Sequence, residues 1–315
     1  MRIPSSLGVI AITVLLGPAG AGQFPLPASA QVVAHGATAT PSVAVAPQYD
    51  TTHVYVAPQD FERFVASFIA TFGGTTSKQG VFMVTPTPSS TMSQLMLTPV
   101  GTVSVFGFKT PIPYPFGAER TGYLVTNLDT AIKAARATGA DVTVTPFNDP
   151  IGRDAIIQWP GGVNMQLYWH TAAPSYKALQ TFPENRVYVS TDRAAAFVRS
   201  FLAFSHGKVL SDNPGAPGVE IGRPSQSYRR VRIQSMFGKV TVLVTDGHLP
   251  YPYGLETTGY EVPNLAATLD KAKTAGAEIL VPPYATDGRQ AAMVQFPGGY
   301  IADIHSLLGE DTTPR

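Results

Sequence analysis

The chain states one pattern twice. Residues 113–140, PYPFGAERTGYLVTNLDTAIKAARATGA, align without a gap on residues 250–277, PYPYGLETTGYEVPNLAATLDKAKTAGA, and 14 of the 28 positions are identical. A second pair lies ahead of the first: VYVAPQDFERFVASF from Val54 is matched by VYVSTDRAAAFVRSF from Val187. A third closes each copy, IIQWPGGVNMQLYWH from Ile156 against MVQFPGGYIADIHS from Met293. A repeat of this length means two copies of one folding unit, so a site has to be sought in, or between, two similar places.

The 315 residues are enough for two domains of ordinary size, each able to bury its own core. A net charge of +1 with no basic block leaves no electrostatic case for nucleic acid. The 28 prolines and 29 glycines favour a turn-rich, strand-rich body over a helical bundle. The absence of cysteine excludes disulfides, thiolate metal ligands and a Cys nucleophile.

Arg2 is followed by an apolar run from Leu7 to Leu16, and then by the small-residue patterns Ala19-Gly20-Ala21 and Ala28-Ser29-Ala30. This is the layout of a secretory signal peptide over residues 1–30, cleaved after Ala21 or Ala30. A secreted or periplasmic protein with no membrane anchor after cleavage is the expectation, since no other segment is apolar and long enough to span a bilayer. Residues 31–50 read as an extended Ala/Val/Thr/Pro linker. Domain one then covers residues 51–171, domain two residues 184–308, and residues 309–315 form a short tail.

Within each copy the hydrophobic period alternates between two and 3.6. His53 to Val56 reads as a strand. Phe61, Phe64, Val65, Phe68 and Ile69 fall at helical spacing over 60–72, with Gly73-Gly74 as the stop. Strand-like runs follow at 80–85, 94–98, 102–108 and 122–126. Asn127 is placed to cap a helix over 128–138. Three more strands, at 142–145, 154–159 and 164–169, complete the copy, with Pro160-Gly161-Gly162 turning between the last two. The second copy repeats the order. Each domain is therefore a strand–helix–three-strand module written twice.

This pattern resembles the vicinal oxygen chelate superfamily, which includes glyoxalase I, the bleomycin-resistance proteins and the extradiol dioxygenases. The resemblance is carried by His53-Val54-Tyr55-Val56 and Arg186-Val187-Tyr188-Val189, by the two TGY units with their helices, and by the WPGG and FPGG closing units. It implies an α+β fold of two tandem glyoxalase-like domains, each a pair of βαβββ modules curling one mixed sheet into a cup. It also implies ligands, and in the family a divalent metal, inside the cup. The positions that carry metal ligands in the family fall on His53, Thr121 and Gln166 in domain one, and on Arg186, Thr258 and Asp303 in domain two. Such a site needs about three imidazole or carboxylate ligands, and a guanidinium repels a cation. No metal cofactor is expected, with a divalent ion as the fallback.

If the family register holds, strand alternation sets His53 with Tyr55, Thr121 with Tyr123, and Asn164 with Gln166 and Tyr168 on the cup faces. Arg186, Tyr188, Thr258, Tyr260, Asp303 and His305 follow in domain two. The expected ligand-binding set is Tyr55, Tyr123, Gln166, Arg186, Tyr260, Asp303 and His305. His53 and Glu119 are the candidates for proton transfer. Glu119 and Glu256 occupy the same place in both PYP loops, which fits a loop-stiffening role equally well. Arg186 with Asp303 and His305 also fits a salt bridge that closes the second cup. The expected function is binding of a small polar organic molecule in a cup, with conversion without metal included. The alternatives are a lyase or isomerase of the superfamily, and a surface for a partner protein. The ligand and the oligomeric state are left open.

Overall fold

The structure, a computed structural model, describes residues 40–308. The first module comprises β1 (Asp50–Tyr55), α1 (Phe61–Phe72), the short edge strands β2 (Thr75–Thr76) and β3 (Gly80–Phe82), β4 (Thr91–Thr98) and β5 (Gly101–Phe108). The second comprises β6 (Thr121–Leu124), α2 (Leu128–Ala137), β7 (Asp141–Asn148), β8 (Gly152–Trp159) and β9 (Val163–His170). They join into one mixed sheet of order β2-β4-β5-β1-β6-β9-β8-β7, with β3 on β4. The second half repeats the plan with β10 (Glu184–Val189), α3 (Thr191–Ser205), β11 (Lys208–Pro217), β12 (Ser227–Ser235) and β13 (Gly238–Val244). It continues with β14 (Thr257–Glu261), α4 (Leu265–Thr274), β15 (Glu278–Thr286), β16 (Arg289–Gln295) and β17 (Ile301–Leu307). Its sheet order is β11-β12-β13-β10-β14-β17-β16-β15. Among the described residues no helix is long and apolar enough to cross a membrane.

Local chemistry explains the boundaries. The α1 apolar stripe ends where Gly73 takes φ +76° and its amide bonds the Ile69 carbonyl at 2.8 Å, an ending that glycine adopts without a Cβ penalty. Asn127 and Asn264 cap α2 and α4 by accepting from the amides of Thr130 and Ala267 at 2.8 and 2.9 Å. The cis peptides Tyr114-Pro115 and Tyr251-Pro252 lie at matching places in the two PYP loops.

The cores are arranged differently from the expectation of one per domain. The helix-bearing faces of the two sheets pack on each other crosswise. One apolar cluster joins α2, β8 and β9 of the first half to α3, β10, β12 and β13 of the second. The other joins α1, β1 and β5 to α4, β14, β16 and β17. In the first, Trp159 sits 5.9 Å from Phe201 and 5.2 Å from Phe204. In the second, Phe68 meets Phe296 at 5.1 Å and Tyr260 at 5.4 Å. The Pro-Gly-Gly hairpins follow the same exchange. A Cβ on Gly161 would stand 2.7 Å from Val189, and one on Gly298 would stand 2.8 Å from Val56. Both glycines have positive φ. The repeated glycines thus permit a close approach of each hairpin to the first strand of the other half.

Polar groups complete the seam. Asn185 donates to Asp50 at 3.0 Å and to the Tyr123 hydroxyl at 3.2 Å, and Thr52 meets Thr258 at 3.3 Å. The stretch ahead of β1, read as a linker, is tied down within its described part. Val43 is buried in the first cluster, Ala44 bridges to Val125, and Pro47–Tyr49 form a 3-10 turn. The proposed signal segment and tail lie outside the described residues.

Candidate ligand cup and its filled counterpart

The faces of the two sheets that turn away from the helices form the cups. In the first half the cup encloses a cavity of about 340 Å³, within the range of small-molecule sites. Its floor comes from alternate residues of β1, namely Thr51, His53 and Tyr55, and from Gln166, Tyr168 and His170 of β9. Ser104 and Phe106 of β5 and Asp154 of β8 flank them, while Phe116 and Tyr176 close in from loops. Phe106 stacks on Tyr55 at 5.2 Å and meets the His53 ring edge-on at 5.4 Å.

The polar groups form a connected floor. The Tyr55 hydroxyl donates to Glu119 Oε1, and His53 Nδ1 lies 3.6 Å from that same oxygen. His53 Nε2 is 3.3 Å from Thr51 Oγ1. Burial, and then the Glu119 charge, push the Tyr55 phenol up, so it stays protonated. Burial also raises the Asp154 carboxyl well above the usual range, with the Asp149 charge adding to it and a hydrogen bond from Gln166 opposing it. Burial lowers His170. The uncharged forms of Asp154 and His170 are therefore favoured, and Tyr168 is engaged with the Tyr49 carbonyl at 2.5 Å.

In the second half the equivalent space is filled by ions. Arg186 binds Glu184 at 3.1 Å and lies 3.9 Å from Asp303, which is bonded to His305 at 2.7 Å. Arg289 takes the other Glu184 oxygen at 3.2 Å. Arg230 pairs with Glu220 and Asp287, and Glu220 also accepts from Tyr228 and from Thr286. Burial opposes these charges, but Arg289 and Arg186 hold the Glu184 carboxyl far below its ordinary value. The strand rows show how the cups diverged. In the first sheet His53 pairs with Ser104, which pairs with Leu95; in the second Arg186 pairs with Thr241, which pairs with Arg232. The next row reads Tyr55, Phe106, Ser93 against Tyr188, Leu243, Arg230. Short or apolar residues leave the first cup open, and two additional arginines occupy the second.

Of the residues singled out in the sequence, His53, Tyr55 and Gln166 line the first cavity, and the buried Glu119 stands behind two of them. Arg186, Asp303 and His305 come together within the ion network of the second cup. Tyr123 and Tyr260 face the opposite way from the expectation. Thr51 pairs directly with Gly122, and Glu184 with Gly259; directly opposed residues share a face. Gly122 and Gly259 thus lie on the cup faces of β6 and β14, and Thr121, Tyr123, Thr258 and Tyr260 turn toward the seam and cores. Tyr260 there donates to Thr52 at 3.3 Å.

Asp154 was not singled out from sequence. A lone carboxylate ahead of the apolar Ala155-Ile156-Ile157, replaced by Ala291 in the second copy, was the available signal. The matching glutamates also separate. Glu119 holds Tyr55, whereas Glu256 lines a cleft of about 100 Å³ with Arg120 and Tyr300, its Oε1 buried and unpartnered.

A divalent metal, implied by the family resemblance, does not fit these residues. Of the first-half positions, His53 and Gln166 present one imidazole and one amide to the cup, Thr121 turns to the seam, and Arg186 stands at the second-cup position. Among the described residues no three His, Asp, Glu or Cys side chains group as ligands.

No family model matches the chain, and no curated protein is significantly similar to it in sequence. Solved structures do share its fold. A triple mutant of 4-hydroxymandelate synthase from Streptomyces coelicolor superposes with a TM-score of 0.57 at 10% identity, covering 85% of this chain and 94% of that one. The Mn(II)-bound glyoxalase from Novosphingobium aromaticivorans gives 0.52 at 14% identity, over 84% and 83% of the two chains. A 2,3-dioxygenase from Pseudomonas sp. KL28 gives 0.52 at 10% identity, over 84% and 93%. With two curled mixed sheets built from four βαβββ modules, the chain has the tandem-domain fold of the vicinal oxygen chelate superfamily.

Proposed function

We propose that the protein binds one small, uncharged, ring-bearing organic molecule, in the first cup only. The observation that carries this reading is the contrast between the cups: a cavity of about 340 Å³ in one half and a buried ion network in the other. Phe106, Phe116, Tyr168 and Tyr176 supply apolar and aromatic wall, while Gln166 and the uncharged form of Asp154 supply hydrogen bonds without a fixed charge. The charged residues of the lining, Lys78 and Asp149, stand at exposed and half-buried positions, and the inner lining favours a phenol, a diol or a carbonyl compound over an ion, because an uncompensated charge loses more in leaving water than these groups return. Two proteins of similar structure are a 4-hydroxymandelate synthase variant and a catechol dioxygenase, which supports starting with hydroxylated aromatics.

The test is isothermal titration of the purified protein with phenol, catechol and 4-hydroxybenzaldehyde, with benzylammonium as the charged control. Saturable binding of one equivalent is expected, weakened by Ser104→Trp, which fills the cup, and left intact by Arg186→Met provided that variant folds. A stoichiometry of two, or binding indifferent to Ser104→Trp, would overturn the reading.

Conversion of the ligand is the second reading. It is favoured by the placement of His53 Nδ1 3.6 Å from the buried Glu119 carboxylate, which suits an imidazole that takes a proton from a bound molecule. Hydrogen–deuterium exchange at an acidic C–H of a bound carbonyl compound, abolished in His53→Gln with binding retained, is the expected signature. Exchange at the uncatalysed rate would rule it out.

A further inference from the structure

The second cup concentrates arginine. Arg186, Arg230, Arg232 and Arg289 face Glu184, Glu220, Asp303 and Asp287. Three of those carboxylates are buried in the cup; Asp287 is 44% exposed. Asp287 belongs to the β15–β16 hairpin turn, where it takes φ +43°, a left-handed conformation held by few residues other than glycine, asparagine and aspartate. From this turn its carboxylate reaches both Arg230 and Arg232, the latter at 3.3 Å. Arg232 has no other carboxylate within salt-bridge distance among the described residues. The Nε atoms of Arg230 and Arg232 are buried donors without an acceptor, and Arg230 is only 1% exposed. Without Asp287, three buried carboxylates face four guanidiniums, with two spare donors.

We propose that the second cup is an anion site occupied by the protein's own Asp287, and that a small external carboxylate competes with Asp287 for Arg230 and Arg232. The Asp287 side chain has the chemistry of the ligand that it stands in for, and its exposed turn is the element that leaves when the ligand enters. The inner pairs, Arg186–Glu184 and Arg230–Glu220, stay in place, so the site takes the carboxylate of a small anion at its mouth and not a whole molecule in the cup. The site is independent of ligand binding in the first half.

Asp287→Asn tests this, because asparagine tolerates the same backbone conformation and removes only the charge. Succinate, titrated calorimetrically at constant ionic strength, is expected to bind Asp287→Asn about tenfold more tightly than the wild type. Adding Arg232→Met should abolish the gain. Inorganic phosphate serves as the second probe and reports whether the site prefers planar carboxylate. Equal succinate affinity in wild type and Asp287→Asn, or a gain that survives Arg232→Met, would overturn the proposal. Should Asp287→Asn not fold, the wild type is compared with Arg232→Met for a succinate-dependent rise in thermal midpoint. Equal rises would refute the site.

Discussion

Gly122 lies beneath the His53 ring: a Cβ built on it would stand 2.4 Å from His53 Nε2 and 2.9 Å from Thr51 Oγ1. The missing side chain on β6 makes room for the imidazole on β1. Gly122→Ala is therefore expected to displace His53 and to destabilise the fold by about 1–3 kcal/mol, as overpacking in a filled site does. Chemical denaturation measures the loss. Titration of the Gly122→Ala protein should show weakened binding of the first-cup ligand, whereas Gly259→Ala should leave that binding unchanged.

The two cups should respond differently to removal of a central side chain. Arg186→Met leaves the buried Glu184 and Asp303 facing an apolar group. Breaking a buried pair on one side costs about 3–5 kcal/mol, so this variant should unfold at markedly lower denaturant. His53→Ala borders an open cavity and should cost less than half as much. Comparable losses would contradict the assignment of one cup as filled and the other as open.

Glu256 makes stability depend on pH. Burial and the nearby Glu119 charge push its carboxyl up to about 8, against the pull of Arg120. A raised acid is favoured by the fold while protonated. Its contribution is complete below the ordinary value of 4.5 and is lost as pH rises toward about 8. Glu256→Gln should flatten this part of the curve. Thermal midpoints of both proteins across that range give the difference, and parallel curves would disprove the role.

Neither half should fold alone. Residues 40–171 would expose the α2 face and Trp159 that α3 covers with Phe201 and Phe204. Expressed separately, each half is expected to be aggregated or molten, and co-expression should restore a soluble complex. A monomeric half with cooperative unfolding would refute the shared-core arrangement.

Export by the first 30 residues has a direct check. Intact-mass measurement of protein recovered outside the cytoplasm should show a mature chain that begins at Gly22 or Gln31, and an uncleaved chain held inside cells would exclude it.

Much of this architecture was legible from residue pattern. The repeated TGY units, the asparagine caps and the Pro-Gly-Gly turns carry local signals that depend only on neighbours in sequence: a period of two or 3.6, a side-chain acceptor three residues before an amide, a glycine where φ is positive. Those signals specify four modules and their order. Alternation within a strand also sets His53 with Tyr55 and Gln166 with Tyr168; that both pairs face one cup was implied only by the family resemblance. The direction of β6 and β14 relative to that face was a matter of pairing. Thr51 opposite Gly122 is a contact between strands 71 residues apart, and a shift of one residue sends Tyr123 and Tyr260 to the other side. The same limit hid the crosswise cores and the contrast between cups. Serine, leucine and arginine are all acceptable on a strand; only their convergence across β1, β5 and β4, or β10, β13 and β12, decides whether the concave face holds space or charge.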